Sequence, residues 1–380
     1  MPLTAYSASR EMELDVDQLL THLAHQSQHP QLPSNVAIPD AWKLAIAQDI
    51  SCPSCFCQGA EVVRGTTAGA KNKRQAFFRF TTGGGNPGHH PFCDFSGNVP
   101  AGHVPENLVQ FSNPKDGLSK AVRVLVCKGI SLGTFHQRDI RAMREWFFHK
   151  KVGSQFVVSL DPRIVKWIAV LQRQRLWIHD GVDEALDFTP ELMALPVFDA
   201  KHAARVILTN QHRALLDLLF ENRIHVFQDV ERITKSVEQS QAQSVFDPSI
   251  LQTEFRKTLQ LARFIGTSYL PISTHVKSHS WVHTPKGGRF MLAFTSLLLF
   301  VSDWDMKRAW EAFVRIAKDD SVVDETLGNA IGLNPFHDFE VWPIIKFLQE
   351  LPRDLLPTEK EMLEQPATLD GLVASLRQGR

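Results

Sequence analysis

Ile50-Ser51-Cys52-Pro53-Ser54-Cys55-Phe56-Cys57 and, further along, Gly88-His89-His90-Pro91-Phe92-Cys93 are the two stretches on which the organisation of this chain turns. Cys52 and Cys55 stand two residues apart, 34 residues intervene, and His90 and Cys93 repeat the two-residue gap. Ligands spaced in this way share one tight turn, and two such turns complete the tetrahedral shell of a structural zinc ion. Thiolate and imidazole are donors that suit zinc. The spacing predicts one Zn2+ held by Cys52, Cys55, His90 and Cys93. Cys57 and His89 stand close enough to take the places of Cys55 and His90, and the paired gaps favour the latter two. A shell filled by four protein ligands has no open position, so the centre is expected to be structural rather than catalytic.

Between the two turns the pattern reads strand, basic turn, strand, glycine-rich loop: 61–67 and 75–82 are the predicted strands and 68–74 joins them. Pro53 and Gly59 shape the first turn, and Gly83 to Gly85 with Gly88 let the backbone fold back for the second. The result is a small zinc ribbon.

The run Ile50 to Cys55, followed by a basic hairpin, an aromatic strand and a His-x2-Cys pair, resembles the N-terminal zinc-ribbon module of the CoiA-like competence proteins of bacteria. The likeness covers about residues 50–95. That family couples such a ribbon to a nuclease-like domain and is associated with DNA handling, so the resemblance implies a nucleic-acid context. Where the family carries a His-Phe-Ala-His-like element this chain has Phe77-Phe78-Arg79-Phe80, and no Glu-x-Lys on a strand follows it. Nuclease activity is therefore not expected from this likeness.

At 380 residues, 43% hydrophobic and 22% charged, the chain has the composition of a globular protein with room for two or three cores. Its longest apolar run, 290–301, is interrupted by Thr295 and Ser296 and falls short of the ~20 residues that span a bilayer, so it reads as a buried helix. Residues 1–17 are acidic where a secretory leader would be basic, which makes a cytoplasmic location the expectation. In that reducing setting five cysteines, four of them within 42 positions, argue for metal before disulfides. Cys127, beside Val126 on an apolar helix face, reads as a small core residue.

The net charge of zero conceals an asymmetry: residues 61–151 carry 14 basic and 6 acidic side chains, a net of +8, whereas the segments on either side each carry −4. A basic excess beside a metal module is what a phosphate-binding surface requires. On the hairpin, Lys71, Lys73, Arg74 and Arg79 surround Phe77, Phe78 and Phe80, offering cations for phosphates and aromatic faces for unpaired bases. On a predicted helix over 137–150, an apolar stripe of Ile140, Met143 and Phe147 would dock on a core and leave Arg138, Arg141, Arg144, Lys150 and Lys151 to meet a backbone. A third constellation, His275, His279 and His283 with Asp303, would form a metal site for a hydrolase if its first part were helical. P-loop, nucleophile-elbow, dinucleotide and His-Glu-x-x-His signatures are absent from the sequence.

The remaining chain is read as a helix at 118–130, buried strands at 155–160, 205–209 and 224–228, the last two joined through a helix at 211–222 as one βαβ unit, a polar segment at 231–244 that suits an exposed helix or a linker, and helices at 251–265, 290–301, 306–317 and 341–351. The expected fold is α+β and predominantly helical, a small N-terminal zinc-ribbon module followed by a larger mainly helical region. Its expected divisions are an entry segment 1–50, the ribbon 51–98, a basic helical extension 99–152, a mixed α/β region 153–245 and a helical region 246–380. The expected role is non-catalytic binding of nucleic acid, DNA before RNA, in a bacterial mobile-element or antiviral defence setting, with a protein partner or a second copy of the chain alongside and no membrane. A zinc-stabilised scaffold subunit and a metal-dependent hydrolase using the histidine region are the competing expectations.

Overall fold

The computed structural model describes residues 2–28, 36–65, 67–68, 72–73, 76–81, 88–90, 92–93, 95, 108–111, 116–176, 188–240, 244–276, 288–322, 324, 327, 331–364 and 368–378. The fold is α+β and predominantly helical. It forms two compact units, Met1–Ser154 with Ile250–His337, and Gln155–Ser249 with Asp338–Arg380. The five consecutive divisions expected from the sequence do not follow this packing. The helical region 246–380 is shared between the units, because its first part packs with the N-terminal half and its last part with the middle of the chain.

In the first unit, β1 (Thr4–Ser7) pairs antiparallel with β2 (Met12–Asp15), and its other edge takes β3 (Ile50–Ser51) in the register Tyr6↔Ser51. Asp15 ends β2 and begins α1 (Val16–Gln26): its carboxylate accepts the Gln18 N–H at 2.7 Å while the Gln18 side chain accepts the Asp15 N–H, a reciprocal cap that fixes the helix start. Helix α2 (Asp40–Asp49) runs directly into β3. The hairpin then follows as β4 (Ala60–Val63) against β7 (Phe77–Phe80), in the register Ala60↔Phe80 to Val63↔Phe77, with β5 (Thr67–Ala68) and β6 (Asn72–Lys73) paired beyond it. A hairpin was expected here; its main strands are shorter than 61–67 and 75–82.

β8 (Leu108–Gln110) pairs with the strand Ile331–Leu333, and α3 (Gly117–Ser131) and α4 (Gln137–Gly153) follow. The helix Arg289–Phe300 is the centre of this unit. Every residue from Met291 to Leu299 is buried, and α3, α4 and the helices Gln252–Ser268 and Met306–Lys318 pack around it. A helix apolar on all sides belongs inside a core. Among the described residues no helix is long and apolar enough to cross a membrane.

The second unit is built on the helices Pro162–Arg173, Arg213–Glu221, Gln228–Ser240 and Val341–Gln349, which bury Val165, Ile168, Leu171, Leu219, Val230, Ile345 and Leu348 together. A short antiparallel pair, Gln155–Val157 with Ser244–Phe246, lies at its edge. The expected βαβ unit does not form. Residues 205–209 belong to the helix Ala200–Gln211, and 224–228 is a connection leading into the next helix. A short run of apolar residues satisfies helix and strand periods equally, and here the helix carries Ala204 and Leu208 inward against Leu369 of the helix Leu369–Gln378. The polar segment 231–244, expected as an exposed helix or a linker, lies mostly in the helix Gln228–Ser240, which is amphipathic and buries Ile233 and Thr234.

Candidate metal centre

The first turn is shaped before any donor is considered. β3 delivers Cys52 at zero exposure, and the backbone then closes on itself: the Cys52 N–H donates to the Cys57 carbonyl at 2.9 Å and the Phe56 N–H to the Cys52 carbonyl at 3.1 Å. Phe56 adopts a left-handed φ of 61°, held where its ring meets Phe148 edge-on at 6.2 Å. Gly59, at φ 87°, then turns the chain into β4 while its N–H donates to the Ala47 carbonyl. That conformation strains any residue with a Cβ.

The second turn begins where β7 ends. The Gly88 N–H donates to the Phe80 carbonyl at 3.1 Å, and the Cys93 N–H donates to the His90 carbonyl at 2.8 Å. The buried Phe80 ring stands edge-on to His89 at 5.3 Å, so the end of the hairpin forms a wall that aims His89 inward.

Five donors converge between the two turns. Cys52 Sγ lies 3.7 Å from Cys93 Sγ, and Cys55 Sγ 3.4 Å from Cys57 Sγ. His89 Nδ1 lies 3.3 Å from Cys93 Sγ, 3.5 Å from Cys55 Sγ and 3.8 Å from Cys57 Sγ. Donor atoms of Cys52, Cys55, Cys57 and His89 all fall within 4.8 Å of one another. Zinc–sulfur bonds of about 2.3 Å and zinc–nitrogen bonds of about 2.0 Å imply tetrahedral edges of about 3.8 Å between sulfurs and about 3.6 Å from sulfur to nitrogen. The donor set and its spacing therefore fit a zinc ion.

The electrostatics agree. Burial, then contact with the neighbouring thiols, pushes Cys52 well above the ordinary thiol range. Contacts from Cys52, Cys57 and Cys93 hold Cys55 far below it. For Cys57 and Cys93 the contact with Cys52 pulls downward, but Cys55 and burial outweigh it and push both up to about 12. One thiolate shared among protonated neighbours is the charge state that such crowding permits, and a dication inverts it by making further thiolates favourable.

His90 is not among these donors, which corrects the expected ligand set. Its Nδ1 accepts the Phe92 N–H at 3.1 Å, and its ring lies against Phe148 at 5.1 Å. The symmetric two-residue gap pointed to His90, but in the turn that it forms the His90 carbonyl takes the Cys93 N–H and the preceding histidine reaches the sulfurs. Cys52 and Cys55 belong with Cys57 and His89 to the group whose donor atoms lie within 4.8 Å of one another, and Cys93 touches that group through Cys52 and His89.

Among the described side chains, most of those expected to meet nucleic acid are engaged within the fold. Phe77, Phe78 and Phe80 are 2%, 0% and 2% exposed, so none is open to a base. Arg79 is half-exposed and pairs across the hairpin with Glu61 at 2.6 Å. Arg144 is buried and forms an ion pair with Glu13, while its guanidinium donates to the Ile331 carbonyl at 2.6 Å. The same Glu13 accepts the Ile331 N–H at 3.1 Å, so one buried pair joins β2, α4 and the strand Ile331–Leu333. Arg141 lies 3.7 Å over the Tyr6 ring, and Lys151 is buried with its ammonium 5.7 Å from Phe147. α4 thus turns Arg144 inward, because β2 supplies in Glu13 a partner that the helix's own sequence does not reveal. Arg138 and Lys150 are exposed. Lys71 and Arg74 lie outside the described residues, as does the side chain of Lys73.

His275 is exposed over the start of α3, where a Cβ on Gly117 would fall 2.4 Å from its ring. Asp303 is exposed and pairs with Arg308 at 2.8 Å, and His279 and His283 lie outside the described residues. Among the described residues the cysteine and histidine cluster is the group that could hold a metal. Protein-family models, curated proteins and solved structures offer no match to the chain.

Proposed function

We propose that this chain is a zinc-stabilised scaffold protein, in which a closed metal centre fastens the β4–β7 hairpin to the loop leaving β3 and the chain acts through its surfaces in a protein assembly. The observation that supports it is the donor surplus: five soft ligands around one point leave no coordination position for a substrate. The burial of the hairpin aromatics and the ion pairing of Arg144 favour this role over a nucleic-acid surface.

Zinc quantification together with titration against labelled DNA and RNA at two salt concentrations tests the proposal. About one zinc per chain, with no salt-sensitive binding, is the expected result. Binding that falls steeply with salt and is lost in Arg138→Glu/Lys150→Glu would replace the scaffold role with phosphate binding by the cations left exposed.

A further inference from the structure

The second unit carries a cleft of about 890 Å³, lined by the end of the helix Pro162–Arg173, by the helix Arg213–Glu221 and by the connection that follows it. Pockets that accept ligands or inserted side chains span about 300–1,000 Å³. The floor is core: Leu171, Leu216 and Leu219 are buried among the helices of this unit. The wall is pinned. Both ends of the Gln172 amide hold the connection, Nε2 donating to the Ile224 carbonyl at 2.8 Å and Oε1 accepting the Val226 N–H at 2.8 Å. The Ile224 N–H closes the same turn on the Leu219 carbonyl at 2.8 Å, with Arg223 left-handed at φ 55°. A cleft held in shape before anything binds loses little freedom when it is filled.

The lip points to what fills it. Phe220 lines the cleft and is 70% exposed. Glu221 and Arg223 line it too, both exposed, and among the described residues neither has an ion pair. Asp217, the other acid there, already reaches Arg213 at 3.9 Å. A small apolar molecule would cover the floor and leave the Phe220 ring and both charges unanswered. An isologous contact about a two-fold axis requires that one patch carry each feature together with its complement. This patch carries a projecting ring and a hollow to receive it, an unpaired acid and an unpaired base.

We propose that a second copy of the chain docks on this cleft, each protomer's Phe220 entering the cleft of the other and each Glu221 facing the partner's Arg223. The ring supplies the affinity, because an aromatic anchor in a pocket is where interface energy concentrates. The two rim ion pairs fix the register more than they add strength. The contact uses no residue of the metal centre, which belongs to the first unit, so it stands or falls independently of zinc.

Sedimentation of the full chain from sub-micromolar to high-micromolar concentration tests the proposal, with the wild type beside Phe220→Ser, Glu221→Arg, Arg223→Glu and the double variant Glu221→Arg/Arg223→Glu. All of them replace exposed side chains, so far-ultraviolet circular dichroism should match the wild type. The wild type should pass from one chain mass to two as concentration rises. Phe220→Ser should weaken the dimer by roughly tenfold or more. Each single charge variant sets like charges against each other twice about the axis and should weaken it, whereas the double variant exchanges the pair and should recover most of the affinity. A single mass at every concentration, a dimer indifferent to Phe220→Ser, or a double charge variant no stronger than the single ones would each overturn the proposal. So would a wild-type monomer that carries a small apolar molecule in native mass spectrometry, which would assign the cleft to a ligand.

Discussion

Arg144→Met is the perturbation that most directly separates a scaffold helix from a nucleic-acid-binding one. Arg144 and Glu13 are 2% and 4% exposed, so neither charge is screened by water or salt. Removing the guanidinium leaves the Glu13 carboxylate buried with only the Ile331 N–H at 3.1 Å, and also strips the Ile331 carbonyl of its donor at 2.6 Å. Breaking a buried pair from one side costs about 3–5 kcal/mol. For a unit of this size each kcal/mol moves the midpoint by about 2–4 °C, so the first unit should melt roughly 6–20 °C earlier. Thermal unfolding followed by zinc release reads this unit, which carries the metal centre, and tryptophan fluorescence reports on both units, through Trp146, Trp304 and Trp310 here and Trp167 and Trp342 in the other. Glu13→Leu in the same background should recover much of the loss, since replacing both members of a buried pair by apolar groups is often near neutral. Arg138→Ala, on the exposed face of the same helix, should stay within about 0.5 kcal/mol of the wild type. If Arg144→Met melted with the wild type while abolishing binding to nucleic acid, the inward placement of Arg144 would be refuted.

The two adjacent histidines should behave oppositely: His89→Ala loses a ligand and should weaken zinc retention against a competing chelator by an order of magnitude or more, whereas His90→Ala should keep about one zinc per chain. Phe78→Ala should destabilise the first unit by about 3–5 kcal/mol, because a fully buried ring leaves a cavity, and a variant of wild-type stability in urea would contradict its burial. Zinc uptake should release protons. Cys52, pushed up by burial, and Cys93, held up to about 12, carry their protons at neutral pH and must lose them to bind, so affinity should rise with pH, as calorimetry in buffers of different ionisation enthalpy would show.

Local patterns explain what was legible in the sequence. The helices at 118–130, 137–150, 290–301 and 306–317 could be read because their apolar residues recur with the helical period over three turns or more, and the structure extends each by no more than about three residues at either end. At 205–209 and 224–228 the runs are too short for period to discriminate, and the strands expected there are helix and connection. The cysteine turn was legible for a similar local reason, since Cys52-x2-Cys55 encodes its own geometry.

By itself, the sequence determined that soft donors gather at residues 52–93 around a basic, aromatic hairpin, because spacing along one chain constrains which side chains share a turn. Which histidine faces the sulfurs was decided only in three dimensions, where Phe80 at the end of β7 walls in His89 and Phe148 from α4 holds His90 aside. The fate of the basic helix was decided there too. A charge faces inward only when a partner waits for it, and the partners of Arg144 are Glu13 and Ile331, 131 residues before it and 187 after it in the chain. No pattern local to 137–153 contains them, and only the packing of β2 and the strand Ile331–Leu333 against α4 brings them within reach.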